Sequence, residues 1–97
     1  MKIFIIFINY HTTDSILKSL RSLKRVSTPF QIVMVDNGSN PGENALFKRL
    51  SPRIRIIENR RNLGFAAGAN MGIKFALKQG ASHVILLNPD TQAGNDF

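Results

Sequence analysis

Short apolar runs rich in Ile, Val and Phe alternate along this chain with segments whose apolar residues recur at helical spacing. Four runs read as strands: Lys2–Asn9, Gln31–Asp36, Arg53–Glu58 and His83–Leu87. That alternation predicts βαβ units and an α/β fold built on a mainly parallel, Rossmann-like sheet with flanking helices. The first run is hydrophobic throughout, as a strand at the centre of such a sheet must be. Right-handed crossovers allow the strand order 3-2-1-4, in which the direction of growth reverses between strands 1 and 4.

The first helix is expected to begin at Thr12 or Thr13, where a hydroxyl can cap exposed N–H groups, and to bury Ile16, Leu17, Leu20 and Leu23. Lys18, Arg21 and Arg25 fall on another face. Asn37-Gly-Ser-Asn-Pro-Gly42 is a cluster of turn formers, followed by a short helix over Glu43–Leu50 that Ser51-Pro52 closes. The third helix is predicted from Gly64 to Gln79, with Gly80 as its left-handed C-terminal cap. Gly64, Gly68 and Gly72 recur every fourth residue beside Ala69 and Ala76, a small-residue stripe that lets this helix approach the sheet closely. Such a stripe reads as packing rather than ligand contact.

The 97 residues, 43% of them hydrophobic, suffice for one core and leave no room for a second domain. With no cysteine, a disulfide scaffold and a thiolate metal site are excluded, and any metal must use oxygen or imidazole ligands. The opening apolar run is short, lacks a small-residue cleavage site and gives way to Asn9-Tyr-His-Thr-Thr13, so it is read as a strand of a cytoplasmic chain rather than a signal peptide. Thirteen Lys and Arg against six Asp and Glu give a net charge of +7, which suits phosphate-rich ligands, nucleic acid or an anionic membrane surface.

Three polar strand exits fall at one end of the sheet: Asn9-Tyr-His-Thr-Thr13, Asp36-Asn-Gly-Ser39 and Asn88-Pro-Asp-Thr91. In an open α/β sheet ligands bind at that end, at the point where strand order reverses. Tyr10, His11, Asn88 and Asp90 would line this crevice, with Asp36 one strand away. Each of these residues also has a plainer role open to it. Asp36 either starts a turn or accepts hydrogen bonds from a nucleotide base or ribose. Asp90 either caps a helix or offers an oxygen to Mg²⁺ or Mn²⁺ on a diphosphate. Tyr10 and His11 are either packed side chains or ligand contacts. Arg60-Arg-Asn62, just before the third helix, is either a solvated loop or an anion site made of guanidinium and backbone N–H groups. No hydrolase triad, zinc-protease or Gly-x-x-x-x-Gly-Lys pattern is present.

In order and spacing, Ile8-Asn-Tyr-His, Val33-Met-Val-Asp-Asn-Gly-Ser39, Asn62-Leu-Gly-Phe-Ala-Ala-Gly-Ala-Asn-Met-Gly72 and Leu86-Leu-Asn-Pro-Asp-Thr91 resemble the family-2 nucleotide-sugar glycosyltransferases of the GT-A fold, particularly their bacterial rhamnosyltransferase-like branch. The resemblance covers nearly the whole chain. It implies that the chain is the nucleotide-sugar-binding N-terminal part, residues 1–97, of a single truncated GT-A domain. It further implies that Tyr10 and Asp36 contact base and ribose, and that Asn88-Pro-Asp90 stands where the family has its Asp-x-Asp motif. Asp90 is then the ligand of Mg²⁺ or Mn²⁺, and Asn88, bringing no charge, can still bond ribose. His11 and Asn62 complete the nucleotide-sugar-binding set. The Asn-Pro-Asp variant looks like that of the rhamnosyltransferase branch, which points to a deoxythymidine-diphosphate sugar. The family's reaction is an inverting transfer to an acceptor hydroxyl, with metal stabilising the departing diphosphate. Its general base is expected beyond Phe97, so no catalytic residue is assigned here and the chain alone is expected to be inactive.

The resemblance also suggests a saccharide or lipid-linked acceptor in cell-surface polysaccharide or lipopolysaccharide assembly, at the inner face of the cytoplasmic membrane. The basic face of the first helix could contribute peripheral membrane association there. Self-association is expected through the fourth strand, left at a sheet edge. A non-catalytic nucleotide-binding or interaction module on the same half-fold is the competing reading. Nucleic acid is not expected as a partner, because the basic cluster at Lys18, Arg21, Lys24 and Arg25 has no interleaved aromatic residues.

Overall fold

A computed structural model describes residues 1–38, 41–51 and 53–87 of the chain; Ser39, Asn88 and Asp90 lie outside the described residues. Its elements are β1 (Ile3–Asn9), α1 (Thr13–Leu23), β2 (Gln31–Asn37), α2 (Pro41–Leu50), β3 (Arg55–Asn59), α3 (Phe65–Lys78) and β4 (His83–Leu86). All strand pairings are parallel, as the alternating pattern predicts, and the sheet order is the β3-β2-β1-β4 that right-handed crossovers allow.

Side chains alternate across the sheet and sort into two cores. Ile5 and Phe7 of β1 and Ile32 and Met34 of β2 pack with Ile16, Leu20 and Leu23 of α1 and Phe47 of α2. On the opposite face Phe4, Ile6, Val33 and Ala76 form one cluster, and Ile8, Val35 and Ala69 another, beneath α3. Phe4, Ile5, Ile6 and Phe7 are wholly inaccessible, as expected for the strand with neighbours on both edges and helices on both faces.

Helix boundaries follow local chemistry, with three departures from the sequence reading. No side chain caps α1. The Thr12 hydroxyl and N–H instead donate to Asn9 Oδ1 at 2.9 and 3.0 Å, because the buried Asn9 carboxamide must itself be satisfied. The same helix stops at Leu23, so Arg25 lies past its end and does not continue a face with Lys18 and Arg21. α2 begins at Pro41 rather than Glu43, since proline's fixed φ and missing N–H suit a first helical turn. At the end of α3, Gly80 has φ +86°; its N–H reaches Leu77 O at 3.0 Å and the Ala81 N–H reaches Ala76 O at 3.0 Å, a Schellman closure.

The glycine stripe of α3 divides into two roles. A Cβ on Gly72 would stand 2.7 Å from Ile6 Cγ2, and one on Gly68 would stand 3.2 Å from Asn37 Nδ2 and 3.3 Å from Ile8 Cγ2. These two glycines let the helix backbone rest on β1 and β2. Gly64 meets nothing within 4 Å but holds φ +90° where the chain turns into α3. Among the described residues no helix is long and apolar enough to cross a membrane.

Candidate functional site

Each of the first three strands closes on an asparagine: Asn9, Asn37 and Asn59. Because parallel neighbours in register point the same way, Asn9, Asp36 and Glu58 form one row across the strand exits and Asn37 and Asn59 the adjacent row on the opposite face. Asn9, Asp36 and Asn37 are buried, so these groups first organise the helix entrances around the exits.

On the α1/α2 face, Asn9 Nδ2 donates to Thr13 Oγ1 at 3.2 Å, and the Thr13 hydroxyl donates to Glu43 Oε2 at 2.7 Å. This relay ties β1 to the first turns of α1 and α2, where a carboxylate is also favoured by the helix dipole. Beside it, Asn44 Nδ2 donates to Asp36 Oδ2 at 2.8 Å in a buried contact. That bond fixes the carboxamide's orientation, since a carboxylate only accepts, and leaves the buried Asn44 Oδ1 with no partner. A buried acceptor without a protein donor is costly, of order 1–3 kcal/mol.

On the α3 face, Asn37 Nδ2 donates to Gly64 O at 3.0 Å, while Asn37 Oδ1 accepts from Asn59 Nδ2 at 3.0 Å and from the Leu63 N–H at 3.4 Å. Asn62 Oδ1 accepts from the Gly64 N–H at 2.8 Å, turning the chain into the helix. Gly38, at φ +98°, lies against the same loop: a Cβ there would stand 3.1 Å from both the Arg61 carbonyl carbon and the Asn62 nitrogen. The exit of β2 and the Arg60-Arg-Asn62 loop are therefore in backbone contact.

The structure thus brings Tyr10, Asp36 and Asn62 to one end of the sheet. Tyr10 is 47% exposed, whereas Asp36 is only 3% exposed and lies beneath the surface. His11 takes a left-handed backbone, φ +57°, which sets its ring 4.4 Å from that of Tyr10 at a tilt of 58°. It also lines an open cleft of about 440 Å³ with Thr12, Thr13, Asp14 and, from α2, Glu43 and Leu46. Asn88 and Asp90 lie outside the described residues, among which no three His, Asp or Glu side chains gather as a metal cage. The sequence places Asn9 and Asn37 in the polar strand exits without giving them a role, and leaves Asn44 and Asn59 unmarked as parts of this end. The asparagine closing each strand was the signal for three of them; Asn44, inside a helix, carried none.

A family model for glycosyl transferase family 2 matches residues 3–97. The low-salt glycan biosynthesis hexosyltransferase Agl10 of Haloferax volcanii is 32% identical over 93 residues, spanning 95% of this chain and 29% of the relative. Among solved structures, S. aureus TarS 1–349 superposes with a TM-score of 0.80 at 20% identity, over 99% of this chain and 29% of that one. TarS 1–349 in complex with UDP-GlcNAc gives 0.79 at 22% identity, over 93% and 27%. The mannosyltransferase PcManGT from Pyrobaculum calidifontis, in complex with GDP-Man and Mn²⁺, gives 0.67 at 21% identity, over 76% and 24%. The chain thus spans under a third of the length of these relatives.

Proposed function

The chain belongs to glycosyl transferase family 2, and we propose that its strand exits form the donor side of a glycosyltransferase, holding the nucleotide of a nucleoside-diphosphate sugar. The observation that carries this is the juxtaposition of an exposed Tyr10 ring with the Asp36-Asn37-Gly38 exit, itself in backbone contact with Arg61-Asn62. An aromatic face, a carboxylate and a basic loop at a helix entrance are the chemistry needed for a base, a ribose and a diphosphate respectively. TarS bound to UDP-GlcNAc and PcManGT bound to GDP-Man share the fold, which supports that class of ligand.

In this reading Tyr10 stacks on or edges the base, Asp36 accepts hydrogen bonds from the nucleoside, and Asn44 holds the carboxylate in place. Arg60 and Arg61 attract the diphosphate, His11 and Asn62 border it, and Asn88 bonds ribose. Asp90 supplies a hard oxygen donor of the kind Mg²⁺ and Mn²⁺ prefer, and the presence of Mn²⁺ with PcManGT supports a divalent ion. Such an ion would offset the charge of the leaving diphosphate. The proton-accepting carboxylate of an inverting transfer is assigned to no residue of this chain. A rhamnosyl donor and a cell-surface saccharide or lipid-linked acceptor complete the proposal.

Calorimetric titration with UDP, GDP and dTDP, each with and without Mn²⁺ and against a control oligonucleotide, tests it. Saturable binding of one diphosphate, strengthened by Mn²⁺, is expected, with dTDP preferred. Binding of none of the three would overturn the donor-site reading and favour an interaction module.

A further inference from the structure

The described carboxylates are confined to one end of the sheet, whereas cations occur at both, Arg60 and Arg61 at the strand exits among them. Every described carboxylate lies towards the strand exits: Asp14 and Glu43 in the first turns of α1 and α2, Asp36 and Glu58 near the ends of β2 and β3. The opposite end, where strands begin and helices finish, carries Lys2, Lys24, Arg25, Arg53, Arg55 and Lys78, all exposed. The helix dipole accounts for cations in a last turn, such as Arg21 and Lys78. It accounts for Lys2 as well, whose ammonium donates to the carbonyl of Gln79 at the end of α3, but not for Arg53 and Arg55, which precede or open β3.

This basic end also holds an apolar pocket. Leu17, Leu20, Leu23, Phe30 and Ile32 line about 160 Å³, and Arg21, Lys24 and Ser51 complete the lining. The space is below the roughly 300 Å³ of a small-molecule site but admits a short length of hydrocarbon. Hydrocarbon with an anion at its mouth is the chemistry of an acidic phospholipid. Stable attachment to a membrane takes an apolar contact as well as a basic patch, and this end offers a pocket for hydrocarbon beside exposed cations. A nucleic-acid strand would need exposed aromatic faces. At this end Phe30 is half-buried in the pocket and Phe75 lies under Arg55, whose Cζ is 5.5 Å from the ring.

We propose that the end of the sheet opposite the nucleotide site docks on an anionic phospholipid surface, with an acyl chain or its glycerol edge entering the Leu17–Phe30 pocket between Arg21 and Lys24. The strand exits then face away from the bilayer, about 20 Å above it, the length of β1. The face is the blunt end of the sheet together with the last two turns of α1, which line the pocket.

The chain has no tryptophan, so single reporters can be placed at either end. Ser51→Trp and Tyr10→Trp are mixed with phosphatidylcholine vesicles, with or without phosphatidylglycerol, carrying acyl-chain bromines that quench indole. Quenching of the position-51 reporter alone, and only with phosphatidylglycerol, is expected. Adding Lys24→Ser, Arg25→Ser and Arg53→Ser should weaken vesicle binding about 100-fold, at about 1 kcal/mol per cation, while Arg60→Ser, Arg61→Ser and Lys74→Ser together weaken it far less. Equal quenching at both positions, equal losses from the two triple variants, or binding to polyuridylate with none to vesicles would each overturn the proposal.

Discussion

Gly72 shows how a single missing methyl sets the spacing of this fold. A Cβ there would stand 2.7 Å from Ile6 Cγ2, inside the wholly buried core of β1. Gly72→Ala should therefore cost stability despite alanine's better helix propensity, by about 1–3 kcal/mol as overpacking does. Urea unfolding measures it, and an unchanged or raised midpoint would show that α3 can lift off the sheet at little cost. The stripe was legible in the sequence as three glycines four residues apart; that Gly64 serves the backbone turn instead of the packing was not, because spacing reports a face and not a torsion. Asp36 was legible as a polar strand exit. Its burial and its bond to Asn44 were not, since the partner comes from the following helix and no local pattern marks it.

At the scale of elements, the strands and helices were readable because short continuous apolar runs alternate with segments of period 3.6, and the order β3-β2-β1-β4 is one that right-handed crossovers allow. What could not be read was how the strand exits grip the helix entrances. Asn37 holds β2, β3 and the start of α3 through Gly64 O, Asn59 Nδ2 and the Leu63 N–H. Asn37→Ala should cost about 1–3 kcal/mol by stranding these groups, and should speed amide exchange selectively at residues 62–68. Uniform exchange rates across the chain would contradict that role. Among the described residues β4 is an edge strand of four residues, with Leu86 39% exposed. Edge strands of this kind pair with further strands, so sedimentation of the 97-residue chain should show concentration-dependent association that Leu86→Lys reduces; a monomer at all concentrations would contradict it.

For the molecule as a whole, one end gathers carboxylates and asparagines over a basic loop, and the other gathers cations around an apolar pocket. The sequence carried the net charge of +7 but not this sorting, which needs the direction of every strand and helix. The donor-site reading makes its sharpest demand on two carboxylates with different tasks. In that reading Asp36 would touch the nucleoside directly, while Asp90 would act through a cation. Calorimetry of the preferred nucleoside diphosphate, with and without Mn²⁺, on Asp36→Ala, Asp90→Ala and Asn44→Ala separates these tasks. Asp36→Ala should lose about tenfold or more in affinity under both conditions, as expected for a hydrogen bond to a charged group. Asn44→Ala should lose less, and Asp90→Ala should lose only the Mn²⁺-dependent part. Equal losses for the two aspartates, or an Asp90→Ala protein that binds Mn²⁺ and nucleotide as the parent does, would contradict the account.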